Sequence, residues 1–365
     1  MASGIVRVPS NSIIGLKREA TTGTPVVSNN NTDATAYNRL NVAEASAPVF
    51  NIIRESRMTS GAGSVKNLDD TFTSNAGGTV EVEFECPVTP KLLPFFLSGV
   101  MQNGAVANTN EYTYDVTKTS RNSVPLGVAG TTVADAHTFT LAYLENQAEL
   151  SGTGIKLSGC MIRELTLSWQ AGSNGNNLMM SGVIMTGVSV GTTGFTNRAS
   201  TYTPSNWVDP TLAYYNGSEL TTKTLDVGAE DTQDLVINAF SVTINNNAQR
   251  YGADSRGDAE GYMVPEYSVT GSLSVKSDDK SHFVASGLLD DFIGGEKSTL
   301  NLRWGSSFVG DGDLQITGEV QYSGQPDLQL DDAIFVNLPF EFGTDGSTTE
   351  ALRVNMFSSS VIGTW

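Results

Sequence analysis

The sequence predicts an all-β protein with a minor helical part, built as two copies of one unit. Three observations predict it. Apolar and polar residues alternate with period two, most strictly in Thr79-Val80-Glu81-Val82-Glu83-Phe84-Glu85. Period two puts one face on a core and the other in water, as a strand does. The 37 glycines, with Ser, Thr and Asn, fill the runs between alternations and supply turns. The same order of elements then recurs after residue 234.

In the first copy, Val49 to Ile53 starts a strand, and a Gly/Ser/Asp-rich loop runs over 60–78. The strand over 79–85 follows. Lys91 to Val100 is expected as a short helix closed by Gly99, with Pro90 near its first turn and Pro94 shortening or bending it. Tyr112 to Val116 and His137 to Tyr143 are further strands. A long β run over 154–169 turns at 172–177 into 178–185, a hairpin. In the second copy, Phe240 to Ile244 is a strand, and 246–261 is a loop full of Gly and Asp. Gly271 to Val275 is a strand, and a helical stretch from Ser281 to Ile293 ends at Gly294-Gly295. Thr299 to Trp304 and Leu314 to Val320 are strands, and Ala333 to Phe342 closes the unit.

The expected organisation is an arm over 1–42, a first unit over 43–190 and an irregular connection over 191–234. A second unit over 235–345 and a C-terminal tail over 346–365 complete it. Ile5 to Pro9 and Ser12 to Gly15 can pair as short strands; the rest of the arm has too little apolar surface to fold alone.

With 39% hydrophobic residues in a chain of 365, a sizeable core can be buried. No apolar run reaches the roughly 20 residues that span a bilayer, and the first residues lack the basic-then-apolar pattern of a secretory leader. The net charge of −18 excludes nucleic-acid binding by phosphate neutralisation, which needs clustered Lys and Arg. It is compatible with surrounding nucleic acid without adhering to it. Cys86 and Cys160 suit two buried free thiols and a reducing cytoplasm; a zinc site wants four ligands.

Catalytic signatures are missing. His137 and His282, the two histidines, have no nucleophile signature beside them, and no G-x-S-x-G, phosphate-binding loop or H-E-x-x-H is present. Asp254, Asp258 and Glu260, and the run Gly310-Asp311-Gly312-Asp313, carry oxygen ligands suited to calcium without the spacing of a dedicated site, and read as solvated turns. The expectation is no enzyme, no cofactor and no metal.

Several segments, taken in order, resemble the phage tail tube proteins. Ile14-Gly15-Leu16-Lys17-Arg18-Glu19-Ala20-Thr21-Thr22-Gly23-Thr24-Pro25 is similar to the family's opening of a glycine, a glutamate and a Thr-Gly-Thr-Pro turn. Gly77 to Glu83, with Leu92-Leu93 and Leu97-Ser98-Gly99, resembles its glycine-strand-helix segment, and Leu157 to Ser168 its next strand. Phe240 to Asn247 and Ser268 to Val275 resemble the second half. The resemblance spans about 10 to 345. It implies a β-sandwich or barrel-like unit with one flanking helix. It also implies rings stacked into the tail of a long-tailed, siphovirus-like virion, made in the host bacterial cytoplasm. Hairpins would join around a lumen for DNA ejection, arms and loops such as 1–42, 60–78 and 246–261 would bridge rings, and other tail proteins would sit at the tube ends. With two units per chain, three chains complete a ring of six units; with one, six chains do.

DNA would pass without specific binding, because a neutral or acidic lining holds no phosphate. Glu81, Glu83 and Glu85 share one strand face. They are either a lumen-facing row or an ordinary solvated face; the matching face of the second copy carries Ser272, Ser274 and Lys276. Another β-rich virion protein, in capsid decoration or a baseplate, fits the same composition. A carbohydrate-binding β-sandwich would show loop aromatics, for which Trp207, Tyr214 and Tyr215 are the candidates.

Overall fold

The structure is a computed structural model. It describes residues 12–26, 37–40, 49–51, 54–56, 71–73, 79–102, 105–108, 111–117, 123–129, 138–144, 152–153, 155–186, 201–202, 214–226, 233–252, 259–277, 287–305, 313–330, 334–344 and 350–357. The fold is mainly β with two short α-helices among these residues, as expected.

The first half runs β1 (Ile13–Arg18), β2 (Asn38–Leu40), β3 (Val49–Asn51), β4 (Arg54–Ser56), β5 (Thr71–Thr73), β6 (Thr79–Pro87), α1 (Leu93–Met101), β7 (Ala105–Asn108), β8 (Glu111–Thr117), β9 (Ser123–Pro125), β10 (Phe139–Leu144), β11 (Gly152–Thr153), β12 (Ile155–Gln170) and β13 (Met179–Thr186). The second runs β14 (Thr201–Tyr202), β15 (Leu220–Leu225), β16 (Gln233–Asp234), β17 (Ile237–Asn245), β18 (Gln249–Tyr251), β19 (Gly261–Met263), β20 (Ser268–Lys276), α2 (Leu288–Gly294), β21 (Lys297–Trp304), β22 (Leu314–Tyr322), β23 (Asp327–Leu330), β24 (Ile334–Phe342) and β25 (Glu350–Phe357).

Among the described residues, eighteen strands join in one sheet system. One run of antiparallel neighbours reads β2, β1, β10, β12, β13, β6, β3. A second reads β16, β15, β21, β22, β24, β20, β17. Position by position, the two runs use strands in the same chain order. They are joined where β17 pairs with the second half of β12, from Glu164↔Asn245 to Gln170↔Ala239.

Alternation builds the core. Val80, Val82, Phe84 and Cys86 of β6 point inward, as do Leu300, Leu302 and Trp304 of β21 and Leu352, Val354 and Met356 of β25. These side chains belong to one continuous core drawn from both runs. Trp169, Phe240 and Trp304 bridge the runs, with ring centroids 6.3 and 5.5 Å apart in succession. Both thiols are free and buried, as expected.

Helix α1 is buried along its whole length, so it carries no polar face. Pro94 lies in its first turn, where a missing N–H costs nothing. Gly99 does not close this helix. The left-handed residue is Gln102 (φ 54°), whose amide also donates to the Gly99 carbonyl at 2.7 Å. A Cβ on Gly99 would lie 2.8 Å from Ile162 Cδ1, so the glycine lets β12 cross close to the helix. Helix α2 ends as expected, with Gly295 left-handed at φ 66°.

Three expectations about organisation change. Residues of the expected arm form β1, which lies in the main sheet; over Ile14–Leu16 it is paired on both sides, by β10 and β2, and so does not pair there with 5–9, which lies outside the described residues. The expected irregular connection holds β15, paired along β21. The expected C-terminal tail holds β25, paired with β22 and β8. Of the two loops expected to bridge rings, 246–261 contributes β18, which joins β19 and β9 of the same chain, while 60–70 and 74–78 lie outside the described residues.

Candidate functional site

Register fixes what one face of the sheet carries. Glu81, Glu83 and Glu85 of β6 stand opposite Met185, Val183 and Ser181 of β13. Val183 and Ser181 stand opposite Glu164 and Thr166 of β12, which face Asn245 and Thr243 of β17. These face Ser268 and Thr270 of β20, and Ser241 faces Ser272. Beyond them, Thr270 and Ser274 face Glu341 and Asn337 of β24. Directly opposed residues share a face, so a band of hydroxyl, amide and carboxylate side chains runs across both strand runs.

The three sequence-predicted carboxylates lie together here and differ in surroundings. Glu83 and Glu85 are exposed. Glu81 is half-buried and accepts a 2.7 Å bond from Arg163 Nη1 in an ion pair. Arg163 sits at the irregularity in the β12–β13 register between Ile162 and Glu164. Such a bulge re-aims a side chain, here onto Glu81. A shallow concavity beside Glu83 and Glu85 is also lined by Glu164, Asn174, Ser181 and Val183.

Polar side-chain bonds link neighbouring strands across the face. Asn245 Nδ2 donates to Glu164 Oε2 at 3.0 Å, the hydroxyls of Thr166 and Thr243 are 2.8 Å apart, and those of Ser241 and Ser272 are 3.0 Å apart. Register also brings basic groups to this face: Arg163, already paired with Glu81, Lys276 of β20, and, past Gln321 opposite Glu341, Lys297 and Arg303 of β21. The row Glu81, Glu83, Glu85 was legible as an alternation. Glu164, Glu341 and the hydroxyl band were not singled out from sequence, because the pairing of β12 with β17 sets their place.

A second constellation lies in the interior. Glu19 is 2% exposed at the end of β1. Its carboxyl accepts from Gly23 N at 2.7 Å, Gly159 N at 2.9 Å and Thr140 Oγ1 at 2.9 Å, and from Thr138 Oγ1. Desolvation pushes its pKa up to about 7, against the opposing pull of those hydrogen bonds. The bonds dock the Thr21–Thr24 turn on β10 and β12. The glutamate and the Thr-Gly-Thr-Pro turn were visible in the sequence; their link was not.

His137, His282, Asp254, Asp258 and 310–312 lie outside the described residues, and Glu260 and Asp313 are in separate strand-flanking positions. Among the described residues no cluster of three His, Cys, Asp or Glu could hold a metal ion. Tyr215 is buried in the core and Tyr214 half-buried, so they do not form an exposed aromatic platform; Trp207 lies outside the described residues. No described helix is long and apolar enough to cross a membrane.

Comparison with curated proteins gives no match. The sequence model of the phage tail tube protein family matches residues 9–342, a span that takes in β1, both strand runs and the acidic face between them. The chain belongs to the phage tail tube protein family.

Proposed function

We propose that this chain polymerises as stacked rings into the tube of a siphovirus-like phage tail, with the polar face of the sheet turned to the lumen and the genome ejected along it. One observation carries this reading. Across the middle of the face, from β6 to β20, the side chains are mainly carboxylates, hydroxyls and amides, and Arg163, the basic group at its centre, is already held by Glu81. DNA holds to proteins through phosphate neutralisation and counterion release. A lining without free guanidinium and ammonium clusters gives the backbone nothing to grip, so the genome slides. The role is structural, and the chain's partners are copies of itself, with other tail proteins at the tube ends.

Duplication is part of the proposal. The same seven-strand order in the two runs supports two units in one chain, the first starting at β1 and the second at β15. Three such chains make a ring of six units. Interfaces repeated head to tail close into rings when the rotation closes, and stack without limit along the axis.

The test is electron microscopy of the purified, concentrated protein. Hollow tubes of uniform bore are expected, with three chains per ring in the averaged images. Protein that stays monomeric at every concentration overturns the tube reading, and six chains per ring overturn the duplication count.

A further inference from the structure

The open edges of the sheet carry an inference that rests on the tube reading and deepens it. β12 has β13 on one side; on the other, β10 covers its first half and β17 its second. β22 and β23 repeat this layout. β24 pairs with both on one side, and β21 covers β22 on the other up to Gln321. Where β17 would follow β21, along β23, no strand pairs among the described residues. At the far end of the order, β3 pairs with β6 on one side, as β17 does with β20, and among the described residues no strand takes its other side.

Burial points the same way. Leu328 of β23 stands opposite Val336, which is fully buried, and so faces the core side of the sheet; yet Leu328 is 36% exposed. At the joint inside the chain, the core-facing pair Leu167 and Val242 is 1% exposed on each side. Leu328 is a core residue lacking the strand that would cover it. An apolar open edge on a lone chain invites uncontrolled pairing unless a partner takes it.

We propose that β23 of one chain pairs antiparallel with β3 of a second copy, repeating between chains the joint that β12 and β17 make within one. The two edges are different and lie at opposite ends of the strand order, so each chain offers one and accepts the other. This is a head-to-tail contact, the kind that closes a ring.

Two measurements test it on the full-length chain. Asp327→Cys is combined in turn with Val49→Cys and Asn51→Cys, and assembled material is oxidised mildly. The expected result is a chain-to-chain ladder on a non-reducing gel in a double variant and none in the single variants, since the native thiols are buried. Leu328→Asp is expected to keep the wild-type circular dichroism while cutting assembled material at least tenfold. Tubes that form normally with Leu328→Asp and give no ladder overturn the joint and leave the tube reading intact. Wild-type protein that never assembles overturns the tube reading and the joint with it.

Discussion

The backbone N–H of Gly159 donates a 2.9 Å hydrogen bond to Glu19 Oε1 across 140 residues of sequence. Gly159 can do so because it sits at φ 62°, a left-handed conformation that favours glycine. Its carbonyl in turn accepts from the Tyr262 hydroxyl, so one residue of β12 is tied to the end of β1 on one side and to β19 on the other. Buried donors that lose their acceptor cost about 1–3 kcal/mol each. Glu19→Ala strands the Gly159 N–H, while the Gly23 N–H keeps its second acceptor, Thr138 Oγ1, at 2.9 Å. It is expected to lower unfolding free energy by about 2 kcal/mol in urea titration. A loss under about 1 kcal/mol would show that water replaces the carboxyl without penalty.

The same carboxyl makes stability depend on pH with a definite sign. Its folded pKa, about 7, lies above the roughly 4.3 of an unfolded glutamate. A group raised on folding contributes stability that is fully present below the unfolded value and lost as pH rises through the folded one. The wild type is therefore expected to lose up to about 3 kcal/mol between about pH 5 and pH 8 through this group. Glu19→Gln cannot titrate and keeps an acceptor oxygen. Urea titrations of both proteins at the two pH values should show the wild type falling more steeply. Equal changes would remove Glu19 as the source.

Gly182 is needed where two strands and a ring converge. A Cβ there would lie 2.2 Å from the Glu164 carbonyl oxygen and 3.1 Å from the Phe84 ring, and the backbone atom cannot swing aside. Gly182→Ala is expected to destabilise by about 2–3 kcal/mol through overpacking. At Gly343 nothing lies within 4 Å of the same added atom, so Gly343→Ala should stay within about 0.5 kcal/mol of wild type. The difference in thermal midpoint between the two variants measures the contrast, and equal midpoints would refute it.

What sequence could show divides along local and non-local lines. The alternation in β6 and the hairpin of β12 and β13 were legible because a strand with one wet face writes its period into a few residues. Leu352, Val354 and Met356 write the same period into β25, but the expected repeat ends at residue 345, which leaves this strand in the expected tail. Gly99 reads as a helix stop in the sequence because a glycine that ends a helix and one that admits a crossing strand look alike until Ile162 is in place. The acid on β6 could be read; its neutralisation at Glu81 could not, since Arg163 lies 82 residues away and arrives through a register irregularity.

That pairing decides which charges to reverse on the proposed lumen face. Glu81→Lys would set a cation against Arg163 and confound structure with function. Glu83 and Glu85 are exposed, so Glu83→Lys with Glu85→Lys should change folding stability by less than about 1 kcal/mol, because surface substitutions away from built contacts cost little. Repeated around every ring, the two lysines add phosphate-binding cations along the bore, and each phosphate contact adds an affinity that salt weakens. Phage carrying the variant should build tails of normal length and eject DNA more slowly, with the deficit shrinking as salt rises. Ejection followed by fluorescence of a DNA-binding dye reads both effects. Wild-type kinetics at low salt in virions with intact tails would place these carboxylates outside the DNA path.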